Sequence, residues 1–138
     1  MSNKLKNILL WVAVLPASIL AGLLVLFPVH WILYNTLTRY VQPYPELPER
    51  IIGPFATACV MVKTASYVAP SYKIIVATIL TVFWIFIAGG GFALSYFNVD
   101  SGTYKYSLIA GGLPIISGVI GAIIALISEL RNSDTVAT

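Results

Sequence analysis

The chain has 138 residues, of which 59% are hydrophobic and 9% charged, and its formal net charge is +3. Soluble domains carry about 25% charged residues, so this composition excludes a water-soluble fold of ordinary surface, and a basic excess this small and scattered excludes nucleic acid as a partner. Its one cysteine, Cys59, excludes an internal disulfide and any CxxC-type metal or redox site.

Four apolar stretches fill most of the chain, at residues 8–27, 51–69, 74–97 and 107–127. A helix needs about 20 apolar residues to cross a hydrocarbon core about 30 Å thick. The expected fold is all-α: a polytopic membrane protein, a four-helix transmembrane bundle in one domain over residues 1–131, with a polar tail at 132–138. Lys4 and Lys6 before the first stretch resemble the start of a signal peptide. The apolar run outlasts the 7–15 residues of a signal core, so an uncleaved first helix is predicted, from near Leu5 to Phe27 or Pro28. Pro16 lies inside it and removes the bond to the Val12 carbonyl.

Residues 29–40 mix Trp31, Tyr34 and Tyr40 with Asn35, Thr36, Thr38 and Arg39. That mixture suits the headgroup region and predicts a short interfacial helix or a water-exposed extension of the first span. Pro43, Pro45 and Pro48 fall within six residues and predict a stiff, extended connector. The second helix is expected to open at Ile51–Pro54, with proline in its first turn, and to close before a tight turn at Pro70–Lys73. The third runs to Phe97, a turn follows at Asp100, Ser101 and Gly102, and the fourth ends near Glu129–Arg131.

With the N-terminus on the cytoplasmic side, Lys4, Lys6, Lys63, Lys73 and Arg131 lie on or nearest that side, against Arg39, Arg50 and Lys105 outside. The positive-inside rule then predicts both termini cytoplasmic, in a bacterial cytoplasmic membrane.

Lys63 is the charge inside an apolar stretch, where an ammonium is costly unless solvated or paired. At helical spacing Ala56, Cys59, Lys63 and Ser66 share a face, and Tyr67 lies one turn beyond Lys63. Lys63, Cys59, Ser66 and Tyr67 therefore form the candidate intramembrane polar site, for an anionic solute or lipid headgroup. The competing reading is a lysine that snorkels to the nearer surface. The apolar stretches hold no Asp or Glu, which argues against proton- or sodium-coupled carriage. His30 alone cannot make a metal site, and Cys59 has no base near it in sequence; no catalytic constellation, metal site or cofactor motif emerges.

Close packing is the other signal. Ser117, Gly121 and Ala125, with Gly118 and Ala122, are small residues at helical spacing, and Gly111, Gly118 and Ala125 recur every seven positions. Such residues let helix backbones approach. Gly89, Gly90 and Gly91 are expected to give the third helix a complementary smooth face, so that the third and fourth helices pack together, or copies of the chain do. The leading expectation is a non-catalytic accessory or structural subunit, with the lipid bilayer and either itself or a larger membrane complex as partners. The alternative is a small channel or transporter for an anionic or lipid-like solute, using Lys63.

Overall fold

A computed structural model describes residues 3–41, 46–97 and 108–136. The middle of the proline connector, the turn expected at Asp100–Gly102 and the last two residues of the tail lie outside them. Four helices follow one another: α1 Asn3–Leu37, α2 Glu46–Val68, α3 Lys73–Phe97 and α4 Leu108–Val136. Among the described residues there is no strand. Each helix is long and apolar enough to cross a membrane.

The helices outrun their apolar cores. α1 continues through Pro28 to Leu37, so residues 29–37 extend the first helix rather than forming a separate one. A proline frees only the carbonyl four residues before it, so the backbone ladder resumes beyond Pro28; Asn35 Nδ2 also donates to the Trp31 carbonyl at 2.8 Å and Thr38 Oγ1 to that of Tyr34 at 2.5 Å. At 1.5 Å per residue, α1 is about 50 Å long. α2 starts at Glu46, five residues earlier than expected, and takes Pro48 into its first turn. An N–H there has no intrahelical partner to lose, and Glu46 and Glu49 complement the positive end of the helix. α4 likewise runs on through Asn132 to Val136, because polarity alone does not end a helix. Between α2 and α3 the chain reverses at Tyr72, whose φ is 55°; its carbonyl accepts from Val76 N at 3.0 Å and opens α3.

α2 is the hub. It packs on α1, α3 and α4; α4 also packs on α3, whereas among the described residues α1 meets α2 alone. The core is correspondingly small-grained: Ala58, Val62, Ala65 and Ala69 from the α2 strip, Val76, Ala77 and Leu80 from α3, Ala122 and Ala125 from α4, and Val14 from α1.

The small residues of α4 turn mainly toward α2. A methyl placed on Gly121 would collide with the Phe55 carbonyl and lie 3.1 Å from Phe55 Cα. Ser117 Oγ donates to the Ile51 carbonyl at 2.8 Å. Gly118 lies between Trp84 of α3 and Pro54 of α2, and Thr81 Oγ1 of α3 reaches the Ala122 carbonyl at 3.4 Å. The glycine triplet does not supply the expected smooth face. Gly91 lies near Ile115 of α4, but Gly89 and Gly90 have open space around them. Consecutive helical residues are turned 100° apart, so one of three can face a given neighbour. Gly111 lies within α4, but its surroundings are outside the described part.

Candidate functional site

Lys63 stands five residues before the end of α2. α4 runs parallel beside it, with Ser117 on Ile51 and Gly121 on Phe55, and brings Ser128 and Glu129 to the same level. Lys63 Nζ donates to Ser128 Oγ at 2.5 Å and lies 3.2 Å from Glu129 Oε1. The lysine side chain is 39% exposed and the glutamate 17%, so the pair is partly shielded. The ammonium thereby donates one hydrogen bond within the chain and sits in an ion pair with a second group. The carboxylate that meets Lys63 comes from what the sequence reads as a helix end; because α4 continues past it, Glu129 projects from regular helix.

Around this pair a cleft of about 810 Å³ opens between the ends of α2 and α4 and the start of α3, lined by Ser66, Tyr67, Lys73 and Asn132 as well as the pair itself. Two lysines face one glutamate there. Ser66 is buried, its Oγ turned back to the Lys63 carbonyl at 2.9 Å. Tyr67 is 85% exposed at the rim. Cys59 packs half-buried against the alanine core and does not line the cleft. Three of the four candidate polar residues thus lie together, and the structure adds Ser128, Glu129, Lys73 and Asn132. The missed signal was spacing: α2 and α4 run in the same direction, so a cation just inside the C-terminal end of one and an anion near the C-terminal end of the other arrive at equal height.

At the other end of the molecule, His30 meets a carboxylate that its sequence neighbourhood lacks. Its Nδ1 lies 2.7 Å from Glu49 Oε1, and its ring stacks on Tyr34 with centroids 5.9 Å apart. Arg50 and Glu46 pair one helical turn apart at 2.7 Å. These groups rim a second, apolar cleft that reaches down to Thr57 and Trp84. No group of three metal-binding side chains occurs among the described residues. The Lys63 end offers charge and hydrogen bonding, and the His30 end offers apolar contact beneath a paired polar rim. No protein-family model, curated protein or solved structure matches this chain.

Proposed function

We propose that this chain is a small integral membrane subunit without catalytic activity, which packs through α1 with itself or with a larger membrane complex. The observation that carries this reading is the isolation of α1. In an apolar stretch of eighteen residues from each helix, 17% are buried in α1 against 28% in each of the others, and among the described residues α1 touches only α2. Val12, Leu20, Leu24 and Phe27 stand outward, ready to meet either lipid or a second helix. The charge bias supports placing the ends that carry Lys4 and Arg131 on the cytoplasmic side of a bacterial inner membrane. Fusions of a topology reporter after Glu46 and after Thr138 check that orientation: external and cytoplasmic signals are expected, respectively.

A photo-crosslinker at Leu20 or Leu24, activated in native membranes, tests the partner. An adduct with a defined second polypeptide, or with another copy of the chain, is expected in high yield. If only lipid adducts form and the chain leaves mild detergent as a monomer, the subunit reading is wrong.

A transporter or channel for an anionic solute is the second reading, supported by the cleft that holds Lys63 and Lys73. The bonding of Lys63 to Ser128 and Glu129 speaks against it, since an anion would have to displace a carboxylate of the chain itself. Lys63→Leu separates the two: anion flux into proteoliposomes should vanish for a transporter, whereas a subunit should keep its crosslinked partner.

A further inference from the structure

The cleft at the ends of α2 and α4 carries more positive charge than it balances. Lys63 and Lys73 line it against Glu129, and Glu129 is already spent on Lys63, 3.2 Å away. Lys73, the first residue of α3, is exposed and makes no ion pair among the described residues. Its ammonium is therefore the surplus. The volume of about 810 Å³ is in the range of small-molecule sites. The rest of the polar lining is neutral and includes Tyr67, Asn132 and Ser133. The Ser133 hydroxyl donates to the Leu130 carbonyl at 2.6 Å, which leaves its oxygen able to accept. The ligand that fits has one negative charge and hydroxyl groups of its own.

Position decides between a lipid and a soluble anion. The cleft lies where α2 ends and α3 begins; for helices that span a bilayer, this is headgroup level. Tyr67 and Tyr72 are both exposed there, and tyrosine rings settle at that depth. Inward from Lys73, α3 turns Ile75 and Ile79 outward, an apolar surface that acyl chains can cover and a soluble anion cannot use. Basic pockets between transmembrane helices bind anionic headgroups. A zwitterionic headgroup would bring its own ammonium toward two lysines, whereas a single negative charge cancels the surplus. Because Lys73 carries that surplus, the phosphate can bind while Lys63 stays on Glu129.

We propose that this cleft holds the headgroup of a singly charged, hydroxylated phospholipid of the phosphatidylglycerol type, with its phosphate on Lys73, its hydroxyls toward Asn132 and Ser133, and its acyl chains along α3. The proposal rests on the reading that the helices span a bilayer, and on neither the subunit nor the transporter reading. The test titrates the full chain, in a neutral maltoside detergent, with phosphatidylglycerol and counts bound lipid by native mass spectrometry. One lipid per chain should bind saturably. Lys73→Gln should weaken binding about fivefold, and Lys73→Arg should restore it. Lys4→Gln removes a charge at the same end of the molecule but outside the cleft, and should leave binding unchanged. Phosphatidylcholine should not compete, and neither should glycerol phosphate, which has the headgroup chemistry without the chains. Unchanged affinity in Lys73→Gln, an equal loss in Lys4→Gln, or equal competition by phosphatidylcholine would each overturn the proposal while leaving the membrane reading intact. Equal competition by glycerol phosphate would overturn it in favour of a soluble anion. Failure of the chain to insert across the bilayer, read by protease protection of its connectors, would overturn both.

Discussion

Toward α4, α2 is fastened by a glycine pressed on the Phe55 backbone, a serine hydroxyl on the Ile51 carbonyl, and an ammonium held between Ser128 and Glu129. Toward α1 it offers less: Gly22 against the flexible Met61 side chain, Gly53 near Leu26, and an exposed His30–Glu49 pair at one end. The difference matters because lipid tails are as apolar as leucine. Burying apolar surface gives no advantage to one helix over lipid, so association depends on close backbone approach and on hydrogen bonds between helices. α2 and α4 have both. α1 also comes close to α2, at the buried Ser18 and at Gly22, but the Ser18 hydroxyl bonds within α1 and the His30–Glu49 pair is exposed, and this poorer hydrogen bonding is why we assign the partner surface to it.

The comparison can be broken most directly at its two glycines. Gly121→Ala should cost about 1–3 kcal/mol of stability in detergent, because the new methyl meets backbone atoms that cannot swing aside. Gly22→Ala should cost less than Gly121→Ala, because its methyl would come within 2.5 Å of Met61 Cγ and 3.2 Å of Thr57 Cγ2, side-chain atoms that can yield where the Phe55 backbone cannot. Thermal unfolding followed by helicity would measure both. Equal losses would mean that the two seams are alike after all.

The ion pair sets the next scale. Lys63→Met and Glu129→Leu should each destabilise the chain, and together they should cost less than the sum of the two. A coupling of about 0.5–1 kcal/mol is expected, between the values for exposed ion pairs and for polar contacts inside membranes, since the lysine remains open to screening. It should shrink as salt is raised. A coupling indistinguishable from zero would leave Gly121 and Ser117 as the whole of the α2–α4 fastening.

Composition and hydropathy were enough to reveal four helices and the Lys63 position, because an apolar run of membrane length has few other uses. The helix ends were harder to read. Pro28, Pro48 and the polar residues after Arg131 look like stops, yet a proline costs one hydrogen bond in mid-helix and none in a first turn. The small residues of α4 announced close packing without saying on what. Their partner is chiefly α2, a helix with fewer glycines, because Phe55 and Ile51 present backbone atoms that leave no trace in side-chain patterns. The candidate polar site was half visible for a similar reason. Ser66 and Tyr67 follow Lys63 along one helix, whereas Glu129 and Ser128 reach it only through the parallel register of α2 and α4. The apolar cleft beneath His30 and Glu49 had no signature at all in the sequence, since it depends on α1 and α3 remaining apart.

The smallest effect is expected at Gly89, and it sharpens the assignment of the partner surface. Nothing lies within 4 Å of the position a methyl would take there, so Gly89→Ala meets no steric objection within the chain. Alanine is also the better helix former, so stability should rise, by at most about 0.5 kcal/mol. If α3 turns this face only to lipid, recovery of the crosslinked partner at Leu20 or Leu24 of α1 should be unchanged. A partner lost while the chain itself grows more stable would show that another helix sits close against Gly89, where even a methyl cannot fit. The exchangeable surface would then belong to α3, and the weak α1 seam would be a feature of folding alone.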